Sequence, residues 1–91
     1  MMANPAGMNF TVEGTLFTKY VFEHAGDEIP LHSHTFSHLS LVIVGSAIAF
    51  DGEGKELLLT EASAPVEFPA GRTHGLKAQT DGTVILQIQQ V

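Results

Sequence analysis

No cysteine occurs in the 91-residue chain, and only four Lys and Arg stand against ten Asp and Glu. The first absence excludes disulfides and thiolate metal ligands. It leaves the compartment undefined, and cytoplasmic is the default expectation. The second gives a formal net charge of −6 with no run of basic residues. Such a surface repels a phosphate backbone instead of releasing its counterions, so no nucleic-acid partner is expected. Long hydrophobic runs are missing too. The longest, Leu39 to Phe50, is broken by Ser40, Gly45 and Ser46 and falls well short of the roughly 20 residues of a membrane-spanning helix. The opening MMANPAGMNF has neither a charged n-region nor an apolar h-region, so no secretory signal and no membrane partner are expected.

With 44% hydrophobic residues in 91, the chain can build one modest core and therefore one domain. We expect residues 1–8 to be a flexible N-terminus and residues 9–91 to form the domain. Alternation with period two, rich in β-branched and aromatic residues, recurs between turn signals. In TKYVFEH it puts Thr18, Tyr20, Phe22 and His24 on one inward face. AGDEIP reads as a turn. HLSLVIVG and SAIAF meet at Gly45, and DGEGK makes a Gly-rich turn. KELLLTEAS, residues 55–63, is ambiguous between helix and strand and is read as strand. Residues 64–68 and 75–80 are weaker strands, Asp81-Gly82 reads as a two-residue hairpin turn, and TVILQIQQV is the last strand. Eight or nine short strands imply an all-β barrel or sandwich.

What the chain does have is histidine. PLHSHTFSH places three of its five histidines within seven positions. On a strand His32 and His34 point the same way, about 6.6 Å apart at Cα, close enough to share one metal at about 2.0–2.1 Å. A straight strand would carry His38 about 20 Å from His32, so the chain must turn between His34 and His38. A helix would align His34 with His38 but rotate His32 away, and LSLVIV prefers strand. His38 is therefore expected at the start of the next strand, folded back beside the first. In EFPAGRTHG, Pro69 and Gly71 make a tight turn that would hold His74 at the end of a strand or loop.

These residues carry a family resemblance. Gly26, five residues, His32, one residue, His34, three residues, His38, six residues and Gly45 resemble the first motif of the cupins; Pro69, Gly71 and His74 resemble the core of the second. The resemblance implies a small antiparallel β-barrel of the jelly-roll type. It also implies one divalent metal held inside it by His32, His34, His38 and His74. Three positions depart from the pattern: His38 replaces the usual Glu, Ser63 replaces the opening Gly of the second motif, and Ala78 replaces its closing Asn. The family includes all-histidine sites, so His38 is retained as a ligand.

Imidazole donors suit zinc, copper, iron and nickel, and the family adds manganese. Without a ligand carboxylate the ion keeps its full charge, which favours an anionic or oxygen-rich small molecule. The expected function is that of a mononuclear metalloenzyme, dioxygenase-type or of the non-redox isomerase, cyclase or lyase type. The alternative is a non-catalytic small-molecule or metal-binding module. Tyr20, Phe22, His24, Phe36 and Phe68 are candidates for lining the pocket, and the carboxylates read as a solvated surface. Leu39, Leu41 and Ile43 have the opposite parity from the inward positions, and this apolar outer face leads us to expect a homodimer.

Overall fold

Alternating side chains sort onto two faces wherever the backbone extends, and among the described residues this produces nine strands. The structure is a computed structural model that describes residues 6–90. The strands are β1 (Ala6–Val12), β2 (Thr15–Phe22), β3 (Glu28–His32), β4 (His38–Val44), β5 (Ser46–Phe50), β6 (Glu56–Thr60), β7 (Val66–Phe68), β8 (His74–Ala78) and β9 (Thr83–Gln90). They form a five-stranded sheet in the order β1-β2-β9-β4-β7 and a four-stranded sheet in the order β3-β8-β5-β6. Every pairing is antiparallel.

The two sheets face each other across one core. Phe22, Val42, Phe68 and Ile85 come from the larger sheet, and Ala47, Ala49, Leu59, Leu76 and Ala78 from the smaller. Three alanines among the latter let the sheets approach closely. Gly75 relieves crowding within the smaller sheet instead, since a Cβ there would lie 2.5 Å from the Phe50 ring and 2.9 Å from the Ile29 carbonyl oxygen on the flanking strands.

Three local expectations are corrected. Of residues 1–8, expected to be flexible, 6–8 pair with β2 as the start of β1; the remainder lie outside the described residues. The signal for this hairpin was Glu13-Gly14, both at positive φ (47° and 80°), as a primed two-residue turn requires. Asp81-Gly82 turns the chain but makes no hairpin, because β8 and β9 belong to different sheets. Likewise β3 and β4 do not lie side by side: they sit in opposite sheets, so His38 faces the His32 strand across the interior. Within KELLLTEAS, Glu56–Thr60 is strand, as β6, and residues 61–63 turn the chain.

The crossing from β4 to β5 is made at Gly45, with φ +85°. Its amide donates to Glu61 Oε2 at 2.8 Å. A Cβ there would lie 2.5 Å from Thr80 Oγ1 and 2.7 Å from Thr83 Oγ1. Those hydroxyls stitch the sheets together, with Thr83 Oγ1 3.1 Å from the Ser46 carbonyl. Gly45→Ala therefore combines left-handed backbone strain with overpacking and is expected to cost about 2–4 kcal/mol. At Gly26 φ is +93° but no atom lies within 4 Å of the would-be Cβ, so Gly26→Ala should cost only about 1–2 kcal/mol. Urea titration of the two variants checks the ranking, and equal losses would contradict it.

Candidate metal centre

At one end of the interior four imidazoles converge from three directions. His32 ends β3 and His74 opens β8, and the two are cross-strand partners. His34 lies in the connection after β3, and His38 opens β4 on the opposite sheet. The bend through Thr35 and Phe36 is the turn that the spacing demanded. The two loops that carry the site are tied together: the Gly71 amide donates to the His34 carbonyl at 2.7 Å, and the Ala70 amide to Ser37 Oγ at 3.0 Å. Pro69 and Gly71 thus hold His34 as well as preceding His74.

Ligand atoms of His32, His34 and His74 all lie within 4.8 Å of one another, a three-histidine cluster that could hold a metal ion. His32 Nε2 is 2.9 Å from His34 Nε2, and His38 Nε2 is 3.2 Å from His74 Nε2. The other ring nitrogens explain the arrangement. His32 Nδ1 donates to the Pro30 carbonyl at 2.7 Å and His74 Nδ1 to the Arg72 carbonyl at 2.9 Å. A carbonyl oxygen can only accept, so in both neutral rings the proton sits on Nδ1 and Nε2 is a bare lone pair aimed into the cluster. His38 Nδ1 lies 3.3 Å from Ser40 Oγ.

Each close Nε2 pair is then bridged either by a proton from His34 or His38, or by a cation between the nitrogens. A tetrahedron or octahedron built on metal–nitrogen bonds of about 2.0–2.1 Å has edges of about 2.8–3.4 Å. The two measured separations fall in that range. Backbone carbonyls on the far ring nitrogens are also the usual outer support of metal-bound histidine. His32, His34 and His74 fit a divalent transition metal, and His38 adjoins that set through His74.

The surroundings favour the neutral form of three of the rings. His38 is 4% exposed and His74 3%. Burial, with the His74 and His34 imidazoles adding to it, lowers the His38 pKa to about 4. Burial also lowers His74 and, with help from His32, His34. Two aromatic rings brace the cluster: Phe68 stacks on His74 at 4.3 Å between centroids, and Phe36 on His34 at 4.5 Å. Both were expected to line a pocket. Tyr20, Phe22 and His24 do not join them. The register sets Tyr20 level with Val42 through Ile85, and Phe22 opposite Thr83, towards the far end of the sheet from His38. Phe22 is core and Tyr20 packs against it, while His24 has left the strand and is exposed because β2 ends at Phe22.

A cleft of about 360 Å³ opens beside the cluster, with His74, Phe68, Leu57 and Val66 on its wall together with Arg72 and Lys55. The wall thus takes two of the four basic residues of the chain. Asp51, Glu56 and Glu67 also border it, three carboxylates against the two basic groups. Asp51 accepts from the amides of Glu53 and Lys55 at 2.8 and 2.9 Å, which folds the Gly-rich turn forming one wall. These two amides hold its carboxyl below the usual range, with Lys55 and Arg72 contributing. The charged wall was missed in the sequence, although Arg72 lies two positions from His74 in a segment already singled out. A second cavity of about 390 Å³ adjoins His38, with Ser37, Leu39 and Ile88 on its wall.

No family model and no curated relative matches the chain. Solved structures do. A cupin superfamily protein from Desulfitobacterium hafniense superposes with a TM-score of 0.81 at 15% identity, over 100% of this chain and 81% of that one. An RmlC-like cupin protein from Desulfovibrio desulfuricans gives 0.78 at 22%, over 94% and 82%. A cupin domain from Bordetella pertussis gives 0.70 at 21%, over 100% and 99%.

The buried rings set a pH dependence for the metal-free chain. Folded His38 resists protonation down to about pH 4, whereas the unfolded chain takes up that proton near pH 6.5. Below pH 6.5 the unfolded state binds more protons, so the stability present above it is lost as pH falls towards 4. Urea midpoints in chelator across this window should decline, and His38→Gln should flatten the decline. An unchanged slope in the variant would contradict the assignment.

Proposed function

On the cupin fold that this chain shares with those structures, we propose that it binds one divalent transition metal through His32, His34, His38 and His74 and brings a small anionic molecule to it. The observation that carries the reading is the pair of Nδ1–H groups tied to the Pro30 and Arg72 carbonyls, which aims the Nε2 lone pairs of His32 and His74 into the cluster beside His34 and His38. Iron, zinc, nickel, manganese and copper all suit imidazole-rich donors. When bound, the ion supplies Lewis acidity to an oxygen of the ligand.

The chain's own residues do the rest. Arg72 and Lys55 attract the negative end of the molecule into the cleft and fix its direction, as a guanidinium does for a carboxylate. Leu57, Val66 and Phe68 exclude water from its apolar part, and Glu67 or Asp51 is available to move a proton at the rim. This is the layout of a metalloenzyme acting on a small oxygen-rich acid, by dioxygen chemistry or by isomerisation, cyclisation or elimination. A second reading, a non-catalytic module that sequesters a metal, is favoured by one feature: four imidazoles, two of them almost fully buried, can close a tetrahedral shell and leave no open position.

Metal reconstitution should give one ion per chain. His32→Ala or His34→Ala should weaken binding by more than about 100-fold, the upper end of what changes to outer-shell partners cost. His38→Ala should weaken it less, because water can take the fourth position. Equal, complete loss in all three would favour the closed, non-catalytic site, and no bound metal would remove the proposal. On the loaded protein, Arg72→Ala should weaken binding of a small hydroxy-acid probe by about tenfold or more.

A further inference from the structure

The far nitrogens of His32, His74 and His38 are held in two different ways. His32 and His74 bond to backbone carbonyls, which only accept. His38 Nδ1 instead faces the Ser40 hydroxyl at 3.3 Å, and a hydroxyl both donates and accepts. This hold is also the longest of the three, against 2.7 and 2.9 Å for the carbonyls. Ser40 follows His38 on the same inward face of β4 and is 0% exposed, so bulk water does not compete for Nδ1.

Without metal the bonds around His38 run in one direction. His74 Nε2 is a lone pair, because its Nδ1 proton goes to the Arg72 carbonyl. The proton between His74 Nε2 and His38 Nε2, 3.2 Å apart, therefore comes from His38. Burial keeps the His38 ring neutral, so its Nδ1 is bare and the Ser40 hydroxyl donates to it. His38 thus starts in the tautomer opposite to that of His32 and His74.

We propose that Ser40 is a positioning residue that makes His38 the exchangeable member of the ligand set. Its hydroxyl donates to a bare Nδ1 while His38 stays off the metal, and accepts from Nδ1–H once Nε2 is coordinated. The proposal rests on the metal-binding reading above. The exchange is neutral: one proton leaves Nε2 and one arrives at Nδ1. A carbonyl in place of Ser40 would fix Nε2 as a donor atom, as at His32 and His74. An alanine would leave a buried Nδ1–H without this acceptor and so disfavour the coordinated form. The close cluster of ligand atoms, formed by His32, His34 and His74 with His38 outside it, has the division this role requires. With His38 in place four rings close a tetrahedral shell, and with it withdrawn three rings leave a position for an oxygen of the small molecule.

Nitrogen-15 NMR of the imidazoles, with and without zinc, in the native chain and in Ser40→Ala and Ser40→Thr tests this. Native His38 should show the Nε2–H tautomer before metal and the Nδ1–H tautomer at saturating zinc. In Ser40→Ala zinc should bind about tenfold more weakly, and His38 should keep its Nε2–H signal while His32, His34 and His74 are coordinated. Ser40→Thr, which restores a hydroxyl, should restore both properties. In a His38→Ala background Ser40→Ala should change zinc affinity by less than about twofold, because the partner it acts through is gone. A purely structural role for Ser40 would lower stability and leave His38 coordinated. Nδ1–H on native His38 before metal, a Ser40→Ala chain in which His38 coordinates as in the native protein, or an undiminished effect in the His38→Ala background would each overturn the proposal while leaving the metal-binding reading in place. Absence of bound zinc in the native chain would overturn both. If Ser40→Thr overpacks and fails to fold, Ser40→Ala and the His38→Ala background decide.

Discussion

Two backbone carbonyls, those of Pro30 and Arg72, determine what this protein can be. Each accepts the Nδ1 proton of a histidine two residues further along, and in doing so fixes both the orientation and the tautomer of that ring. The consequence is electronic: Nε2 becomes a permanent donor atom pointing inward. Once His32 and His74 are locked in this way, His34 and His38 at 2.9 and 3.2 Å must either hand over a proton or share a cation. Burial of His38 and His74 lowers their pKa and so keeps added protons off these rings, which leaves their lone pairs free for the proposed ion.

The sheets exist, from the standpoint of this site, to bring those rings together. Residues 36 positions apart, His38 and His74, meet only because β4 and β8 belong to opposite sheets whose inner faces share a core. Small residues at Ala47, Ala49 and Ala78 keep the sheets close enough for that meeting. Gly45, Thr80 and Thr83 hold the far end of the sandwich shut, where a single added methyl has nowhere to go. The loop from Pro69 to His74 is anchored on the His34 carbonyl rather than on a strand, so the segments that carry His34 and His74 position one another through their backbones.

Much of this was legible in the sequence where the signal is local. Alternation located the strands, and the spacing of His32, His34 and His38 required the bend that the structure contains. The nearest misreadings concern partners that are distant in sequence. Asp81-Gly82 has the composition of a hairpin turn, but which sheet a strand joins is decided by the core, and Thr83 turns inward to bond across to Ser46. His24 continues the parity of Tyr20 and Phe22, yet β2 stops before it. The Asp27 carboxylate instead accepts the His24 amide at 3.1 Å and bends the chain. Glu13-Gly14 carried a hairpin signal that went unread because the residues before it lack charge and look loose. The cleft with Arg72 and Lys55 could not be seen at all, since it forms between β6 and β7, which do not pair.

The proposed centre requires that the Nε2 atoms of the histidine cluster be metal donors while the carbonyl-bound Nδ1 atoms of His32 and His74 keep their protons. Nitrogen-15 NMR of the imidazole side chains, followed while zinc is titrated into the metal-free protein, addresses it directly. Before metal, His32 and His74 should show the Nδ1–H tautomer; the Nε2 signals of His32, His34, His38 and His74 should then move together and saturate at one zinc per chain, with that of His24 unmoved. Zinc that leaves those signals in place, or that displaces the Nδ1 protons of His32 and His74, would contradict it.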